Sequence, residues 1–493
     1  MLEVINALRT NPQRPAIVGN NVTLSAQDVV EHAEQLAQQF QKQNIRRAAL
    51  FADNGPAWII ADLASQLADI CLLPLPLFFT KEQIHHCLQE AGVGHLLTNN
   101  LALAKSQISS LGEAWDVDCR TGILINTLQE IPKTDLPITT TKITFTSGTT
   151  GRPKGVCLSR QNMLTVSNAI IQATGITEPK HLCLLPLTTL LENIAGVYSP
   201  LLVGGQVVAP TLEAVGLQGS SQLDISKLLN AINTYQPNTL ILIPQLLVAL
   251  TTACEFGWQP PKSLQFIAVG GAHVADQLLT KARRLGLPVY EGYGLSECGS
   301  VVALNTPGQD GIGSCGQPLQ HVSVSSDDGE IIINGNCFLG YTGDKASWYP
   351  QSVRTGDRGT IDEDGFVHIN GRCKNVLISS FGRNINPEWP EAELLAGPLL
   401  SQCIVFGDAK PFCCAVLSPR DENTRDIHIQ RWLDQVNTRL PDYAQIKAWY
   451  RLPEPLSVAN GLLTDNGRPR RQRIYQQYSF AIESLYYLQE VAS

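Results

Sequence analysis

Between residues 46 and 100, short apolar segments alternate with helical patterns, and this alternation constrains the fold more than any other feature. The order is RRAALFADN, PAWIIADLASQLADI, CLLPLPL, TKEQIHHCLQEAG and VGHLLTNN. Buried strands that alternate with helices form βαβ units, which place the strands parallel in one sheet. TLILIP, LQFIAVGG and LPVYEGYG predict further buried strands. The chain is therefore predicted to be an α/β protein.

The length and the change of pattern along the chain predict two domains. At 493 residues the chain exceeds the size at which one hydrophobic core stops growing. From Gly311 short strands are separated by DDG and EDG, which are hairpin signals, and mixed α/β patterns resume after Arg372. We predict a large N-terminal domain over 1–371, with mainly parallel sheets between helices and a β-rich portion at about 311–371. A small C-terminal α+β lid domain is predicted over 372–493.

Composition excludes several classes of function. A formal net charge of −8 provides no basic face for nucleic acid. The most apolar stretches, ICLLPLPLFF and TLILIPQLLVALTTA, contain proline and fall short of the roughly 20 residues of a membrane-spanning helix. The N-terminus has no signal-peptide pattern. Thirteen cysteines, an odd number without CxxC pairs or histidine partners at metal spacing, predict reduced thiols and a cytoplasmic location.

Residues 144–155, TFTSGTTGRPKG, combine five hydroxyls, three glycines and one lysine. KITFTS before the loop and GVCLS after it predict two strands, and Ser159 is placed to cap a following helix. Glycine lets backbone N–H groups approach phosphate oxygens, while hydroxyls donate to them and lysine supplies charge. The loop is not a Walker A motif, which requires Gly-Lys-Ser/Thr. Composition alone leaves open a phosphate-binding loop or an ordinary glycine-rich turn.

The order of residues in TSGTTGRPKG resembles the signature loop of the adenylate-forming superfamily, which includes acyl-CoA synthetases, luciferases and peptide-synthetase adenylation domains. Further segments resemble the family in order and spacing over nearly the whole chain. They are VGGAH (269–273), EGYGLSE (291–297), VRTGD (353–357), GRCKN (371–375) and SSFGRNINPEWPEAEL (379–394).

The resemblance implies ATP and Mg²⁺ as ligands, with coenzyme A or a phosphopantetheine arm as acceptor. Lys154 would act in catalysis, Glu297 would bind Mg²⁺, and Lys374 would lie at the hinge between the domains. Asp357 would bind the ribose hydroxyls, and Tyr293 is placed to stack on the purine. The nucleotide-binding residues implied in this way are Thr146, Ser147, Gly148, Thr149, Thr150, Gly151, Gly271, Ala272, Glu291, Gly292, Tyr293, Gly294, Ser296, Asp357 and Arg372.

The reaction that the resemblance implies has two halves in one site. The substrate carboxylate attacks the α-phosphorus of ATP and expels pyrophosphate, and a thiol then takes the acyl group from AMP. Both first reactants are anions, so the site must supply positive charge and orientation. The family's C-terminal lysine is replaced by Arg468 in NGRPRRQRI. Arginine keeps the charge but is bulkier, and its planar guanidinium binds carboxylate and phosphate bidentately. Altered or slower adenylation is therefore one expectation.

LPLTTLLENIAG (185–196) resembles the LPLxHxxE segment of long-chain acyl-CoA synthetases, with Thr189 where histidine is usual. The segment has no aspartate for an α-ammonium group, which disfavours amino-acid activation. A medium- or long-chain fatty acid is therefore the predicted substrate. The predicted acyl pocket is lined by Glu192, Gly196, Tyr198, Val269 and Leu295.

Two classes of function stay open at this stage. The first is an enzyme, either an acyl-CoA ligase or a fatty acyl-AMP ligase that loads an acyl carrier protein. The second is a non-catalytic acyl- or nucleotide-binding relative, suggested by Arg468 and Thr189. Pyrophosphate exchange that depends on an acid distinguishes the two classes. A luciferase-like activity has no specific support in the sequence.

Overall fold

The computed structural model describes residues 2–109, 111–116, 122–128, 134–146, 153–218, 222–380, 383–464 and 467–490. The α-helices in these ranges are α1 Leu2–Thr10, α2 Ala26–Lys42, α3 Pro56–Leu67, α4 Lys81–Ala91, α5 Leu101–Gln107, α6 Arg160–Thr174, α7 Ser199–Leu202, α8 Ile225–Tyr235, α9 Pro244–Glu255, α10 Asp276–Arg284, α11 Glu388–Leu395, α12 Asp426–Asn437 and α13 Arg471–Glu490. A π-helix covers Glu192–Tyr198, and 3₁₀ helices cover Ser296–Cys298, Lys345–Ser347 and Asp442–Ala444.

The strands up to residue 242 are β1 Pro15–Val18, β2 Thr23–Ser25, β3 Arg47–Leu50, β4 Cys71–Pro74, β5 His95–Thr98, β6 Leu111–Asp116, β7 Leu124–Leu128, β8 Lys142–Thr146, β9 Lys154–Leu158, β10 Lys180–Leu182, β11 Gln206–Val208, β12 Leu217–Gln218, β13 Gln222–Leu223 and β14 Thr239–Leu242. The later strands are β15 Phe266–Val269, β16 Val289–Tyr293, β17 Ala303–Leu304, β18 Gln317–Pro318, β19 Val322–Asp327, β20 Glu330–Gly335, β21 Gly340–Tyr341, β22 Ser352–Ile361, β23 Val367–Arg372, β24 Leu377–Ile378, β25 Asn384–Ile385, β26 Leu400–Phe406, β27 Cys413–Pro419 and β28 Ile446–Arg451.

Two large sheets form the centre of the N-terminal domain. One has eight strands in the order β21-β9-β8-β4-β3-β5-β7-β6, and the other has nine in the order β18-β17-β16-β15-β14-β10-β11-β1-β2. β3 pairs in parallel with β4 and β5, and β15 pairs in parallel with β14 and β16. The predicted α/β class is therefore confirmed, because helices connect these parallel strands.

The β-rich portion is a separate four-stranded antiparallel sheet in the order β19-β20-β22-β23. The predicted DDG hairpin joins β19 to β20, and its turn residues Asp328 and Gly329 have φ values of 49° and 75°. A two-residue turn with both φ values positive matches the twist of the flanking strands, which explains the Asp-Gly pair. The EDG turn joins β22 to β23 in the same antiparallel manner.

The C-terminal part has its own three-stranded sheet, β26-β27-β28, with hydrophobic clusters on its two faces. One cluster packs α11 and α12 against the sheet, and the other packs α13 against it. The predicted boundary at 371 and 372 falls within the last two residues of β23, and it stays a prediction. None of the described helices combines the length and the apolar character needed to cross a bilayer.

Candidate active site

The hydroxyl-rich loop connects two paired strands of the eight-stranded sheet. Thr146, the last residue of β8, pairs with Lys154, the first residue of β9. Ser159 then caps α6 through a capping box with Asn162, as its position predicted. Five predicted nucleotide-binding residues lie outside the described part of the chain, and for Thr146 only the backbone is described. The five are Ser147, Gly148, Thr149, Thr150 and Gly151.

The side chains of Lys154 and Glu297 both contact the same aromatic residue, Tyr341 of β21. The Lys154 ammonium lies 5.0 Å from the centre of the Tyr341 ring. The Tyr341 hydroxyl donates to Glu297 Oε1 at 2.9 Å, and Glu297 lies in the 3₁₀ helix that Ser296 begins. Burial and the neighbouring carboxylate raise the pKa of Tyr341, so its hydroxyl stays a donor. Tyr341 was missed at the sequence level, because it belongs to none of the quoted motifs.

Asp357 is the centre of a second polar group. Its Oδ2 accepts from the Tyr293 hydroxyl at 2.6 Å, and its Oδ1 lies 2.9 Å from Arg372 Nε. The pairing of Asp357 with Arg372 across β22 and β23 sets this geometry. Burial raises the pKa of Asp357, while the Arg372 charge and the tyrosine hydrogen bond oppose that rise. Arg372 also donates to the Thr355 carbonyl at 3.0 Å, which fixes its guanidinium.

The turns after β15 and β16 bring two backbone segments close together. A Cβ on Gly270 would lie 2.7 Å from the Gly292 carbonyl oxygen, and a Cβ on Gly294 would lie 1.6 Å from the Ser300 carbonyl oxygen. Gly271 has a φ of 84°, a conformation that favours glycine. Gly271, Ala272 and Gly294 are exposed at this edge. In open α/β sheets, ligands bind at the carboxyl ends of the parallel strands, and these turns lie there.

Glu291, predicted to bind nucleotide, points into the protein instead. Its side chain is buried, and Cys315 Sγ lies 3.9 Å from its Oε1. Burial, together with the charge of Asp276, raises the pKa of Glu291 from its ordinary 4.5 to about 8. At neutral pH this carboxyl is therefore mostly protonated, and the structure gives it a place in the core beneath the site rather than on its surface.

Arg468 of the C-terminal domain lies near both polar groups, and we call the space between them the cleft. Its guanidinium lies 3.5 Å from the Gly271 carbonyl oxygen, and its loop is closed by a bond from the Thr464 amide to the Arg468 carbonyl at 2.7 Å. Although the side chain is exposed at the mouth of the cleft, desolvation by nearby protein atoms lowers its pKa, as does the charge of Arg372. The carboxylates Glu388, Asp357 and Glu297 raise the pKa of Arg468.

We call Lys154, Glu297, Asp357, Arg372 and Arg468 the cleft cluster. It combines three cations with two carboxylates, and it draws on both domains. Exposed cations beside glycine turns can hold a polyphosphate, and Glu388 is a third carboxylate near Arg468.

The predicted hinge residue, Lys374, is exposed in the turn that follows β23. The Cys373 amide donates to the Gly356 carbonyl at 2.8 Å, and the Asn375 side chain donates to Glu388 Oε1 at 2.8 Å. The residues on both sides of Lys374 are therefore anchored to opposite domains. Its role as a hinge stays a prediction.

The structure does not open an acyl pocket at the residues expected to line one. Glu192 and Tyr198 have no exposed surface, Val269 is 1% exposed, and Gly196 is also buried. Only Leu295 of the predicted set is half-buried. These side chains are packed against other protein atoms because the π-helix and the end of β15 lie in the core. An acyl chain bound there would have to displace them.

Sequence reasoning also missed a buried ionic group, which we call the core cluster: Asp62, Lys142, Asn193 and Tyr198. Lys142 Nζ lies 2.7 Å from Asp62 Oδ1 and donates to the Tyr198 hydroxyl at 2.9 Å. Tyr198 donates to Asp62 Oδ2 at 2.5 Å, and Asn193 donates to the same oxygen at 3.0 Å. Tyr198 is thus a member of a charged network in the core. Burial lowers the pKa of Lys142, and the Asp62 charge opposes this.

Comparison with known proteins gives the family. Residues 5–340 match the AMP-binding enzyme family, and residues 374–490 match the C-terminal domain of AMP-binding enzymes. The chain therefore belongs to the AMP-binding enzyme family, and the predicted adenylate-forming resemblance is confirmed.

Individual relatives include acid–CoA ligases of different substrates. The chain is 26% identical to the long-chain-fatty-acid–CoA ligase FadD15 of Mycobacterium bovis, over 89% of this chain and 88% of the relative. It is also 26% identical to the 2-succinylbenzoate–CoA ligase of Bacillus velezensis, over 83% of this chain and 85% of the relative.

Solved structures share the fold along nearly the whole chain. The anthranilate CoA ligase AuaEII, in complex with anthranoyl-AMP, superposes with a TM-score of 0.81 at 16% identity, over 97% of this chain and 98% of that one. The O-succinylbenzoate coenzyme A synthetase of Bacillus subtilis, in complex with ATP and magnesium, gives 0.76 at 22% identity, over 95% and 98%. The large domain with a small C-terminal domain is thus the fold of adenylating enzymes.

Proposed function

We propose that this chain is an AMP-forming acid–coenzyme A ligase, which makes an acyl-adenylate and passes the acyl group to a thiol. The observation that carries the proposal is the cleft cluster, in which Arg468 of the C-terminal domain interacts with Asp357 and Glu297 of the large domain. Lys154 is linked to Glu297 through Tyr341. The named activities of FadD15 and of the 2-succinylbenzoate–CoA ligase support the same general reaction.

The cleft cluster suits the first half-reaction, in which a carboxylate oxygen bonds to the α-phosphorus of ATP while the bond to the pyrophosphate oxygen breaks. Both reactants are anions, and fixed cations lower the cost of bringing them together. Lys154 lies at the end of the phosphate-loop connection, and Arg468 approaches from the opposite domain. Their role is to hold and orient the two anions and to stabilise the charge that develops on the leaving group.

Glu297 fits the requirement of a magnesium site. Its carboxylate is half-buried in the cleft, next to Lys154 and Tyr341. Magnesium is usually held by one or two protein carboxylates together with substrate phosphates and water, so a single glutamate is a sufficient protein ligand. When bound, Mg²⁺ would neutralise phosphate charge. Tyr341 fixes the orientation of the Glu297 carboxylate through its hydrogen bond to Oε1.

Asp357 is the proposed ligand of the ribose hydroxyls. Each of its oxygens already accepts one hydrogen bond or ion pair, from Tyr293 and from Arg372. A carboxylate oxygen has a second lone pair, so each can accept a ribose O–H as well. The charge of Arg372 opposes the rise in the pKa of Asp357 that burial causes, which favours the ionised carboxylate, the stronger acceptor.

The proposed acid has an apolar body, aliphatic or aryl, and no ammonium group. Fatty-acid and 2-succinylbenzoate ligases are equally identical to this chain, which supports both kinds of acid. The segment 185–196 has no aspartate for an ammonium group, and this excludes the usual partner of an amino acid there. Coenzyme A is the proposed acceptor, because both relatives are named for it.

Exchange of labelled pyrophosphate into ATP tests the proposal. Purified protein with Mg²⁺ is assayed with fatty acids of increasing length, with benzoate and cinnamate derivatives, and with amino acids. The proposal expects exchange with at least one apolar acid and none with amino acids. Adding coenzyme A or a phosphopantetheinylated carrier protein to the preferred acid then identifies the acceptor. Binding of ATP without exchange for any acid would contradict an enzymatic function.

A further inference from the structure

Three side chains that commonly bind transition metals meet in the core, and none of them belongs to the cleft cluster. His181 lies in β10, Cys183 directly follows β10, and Glu192 begins the π-helix. One donor atom from each, a ring nitrogen, a sulfur and a carboxylate oxygen, lie within 4.8 Å of one another. All three side chains are buried.

The local structure explains why these residues meet. Side chains two positions apart on a strand point to the same face, and the Cys183 amide extends the strand pairing by donating to the Val208 carbonyl at 2.8 Å. His181 and Cys183 therefore face one side of the nine-stranded sheet. The π-helix packs on that side and supplies Glu192. The signal in the sequence is the His-x-Cys spacing in a strand, which a search for CxxC pairs does not find.

The hydrogen bonds of the group orient its donors. His181 Nδ1 lies 2.9 Å from Thr239 Oγ1, and His181 Nε2 lies 3.0 Å from Glu192 Oε1. A metal-binding histidine is usually held by a hydrogen bond at the ring nitrogen that does not bind the metal. Thr239 Oγ1 is placed for this role at Nδ1. Glu192 has no exposed surface, and its Oε2 has no partner at ordinary hydrogen-bond distance among the described residues, the nearby Cys183 thiol being its one weaker interaction there. A carboxylate oxygen buried in this way is costly unless something pairs with it.

Gly196 lets the backbone of the π-helix lie close to these donors. A Cβ on Gly196 would lie 2.7 Å from His181 Nε2 and 3.0 Å from Glu192 Oε1, closer than real Cβ contacts, so a larger residue fits there only if these side chains shift. The histidine is 2% exposed and the glutamate not at all, so both donors are shielded from solvent. Zinc binds nitrogen and carboxylate donors at about 2.0–2.2 Å. An ion would therefore take the place of the hydrogen bond between Nε2 and Oε1.

We propose that His181, Cys183 and Glu192 form a structural site for a divalent zinc ion, which we call the His–Cys–Glu site. Nitrogen, sulfur and carboxylate donors together favour zinc over magnesium or calcium, which prefer oxygen. On binding, the Cys183 thiol releases its proton to solvent and its sulfur bonds to the ion, while His181 is neutral and Glu192 is ionised. The second carboxylate oxygen can complete four donors.

The site would brace the π-helix against the sheet. Glu192 is the first residue of that helix, and Asn193 and Tyr198 of the same helix join the core cluster. π-Helices are rare and are less favourable than α-helices, so two polar anchors give a physical reason for this one. The inference does not depend on the proposed ligase reaction, because it concerns metal content and folding.

Metal content and spectroscopy test the site on the full-length chain. The protein is produced in minimal medium supplied with Co²⁺ in place of zinc, and bound metal is counted after extensive dialysis against a buffer free of metal. We expect about one metal ion per chain and a near-ultraviolet band from thiolate-to-Co²⁺ charge transfer. X-ray absorption of the zinc form should show one sulfur neighbour among nitrogen and oxygen.

Variants then assign the ligands. Cys183→Ala should abolish the charge-transfer band, and Glu192→Gln should lower metal retention about 10-fold or more. Cys254→Ala, at a buried cysteine of α9, is the matched control and should retain both metal and band. A folded wild-type chain with less than about 0.1 equivalent of metal would overturn the proposal. So would a zinc form without a sulfur neighbour, a result that needs no variant to fold.

Discussion

The cleft cluster and the core cluster contain similar side chains, yet they differ in how their charges are used. In the core cluster, the side chains of Lys142 and Asp62 are each 1% exposed, and one cation balances one anion. In the cleft cluster, the Arg372 side chain is 38% exposed, and Lys154 and Arg468 are exposed as well. Positive charge that is accessible attracts an anionic ligand, whereas a buried, balanced pair mainly determines how the core packs.

The largest expected effect comes from breaking the core cluster. Lys142→Met leaves the Asp62 carboxylate buried without its partner, which costs roughly 3–5 kcal/mol of unfolding free energy. Urea unfolding followed by circular dichroism measures the loss. Adding Asp62→Leu removes the carboxylate that Lys142→Met leaves buried and unpaired, so the double variant should recover most of the lost unfolding free energy. A loss below about 1 kcal/mol in the single variant would contradict the charge-pair description.

The next effect is on chemistry rather than on stability. Lys154→Ala removes an exposed cation of the cleft cluster, so the rate of acid-dependent pyrophosphate exchange should fall about 10²–10³-fold, as for the loss of one charge-stabilising donor. Urea unfolding should be unchanged within about 0.5 kcal/mol. Lys42→Ala, at the exposed end of α2, is the matched control and should exchange at the wild-type rate. Equal rates for the two variants would remove Lys154 from the site.

A third effect is a pH dependence beneath the cleft. The pKa of Glu291 is about 8 in the folded protein and 4.5 ordinarily, so the native state binds more protons between these values. The stability that this gives is complete below pH 4.5 and is lost as the pH rises through about 8, at up to about 1.36 kcal/mol per unit. Glu291→Gln should therefore flatten the fall in unfolding free energy between pH 5 and pH 8. An identical slope in the variant would contradict the raised pKa.

The smallest expected effect tests the hinge. Lys374→Pro fixes φ in the turn after β23, where the C-terminal domain would have to reorient between the half-reactions. We expect pyrophosphate exchange within about 3-fold of wild type and thioester formation slower by about 10-fold. Lys374→Ala keeps the backbone freedom and should leave both rates near wild type. A proline variant that loses both half-reactions equally would place the hinge elsewhere.

The sequence predicted the elements that are local and the motifs that are contiguous. The βαβ run at 46–100, the DDG and EDG hairpins and the Ser159 cap depend on neighbours along the chain, and each is present. The cleft cluster followed from segments that resemble a family, and the fold brings those described residues together.

Contacts between residues far apart in the chain could not be predicted from sequence patterns. Tyr341 is 44 residues from Glu297, and Asp62 is 136 residues from Tyr198, so no local pattern joins either pair. The acyl pocket stays a prediction for a related reason, since an apolar or small residue near a motif is as compatible with core packing as with a ligand. Tyr198 and Glu192 belong to the buried core in the structure.

The most direct test of the central claim is a crystal structure of the chain with Mg²⁺ and an ATP analogue that cannot be cleaved at the α-phosphorus. We predict the ribose on Asp357, the polyphosphate beside Lys154, and a magnesium ion on Glu297 with Arg468 facing the α-phosphate. A bound nucleotide whose phosphates lie away from Lys154 and Glu297 would contradict the assignment of the cleft cluster as the site of acid activation.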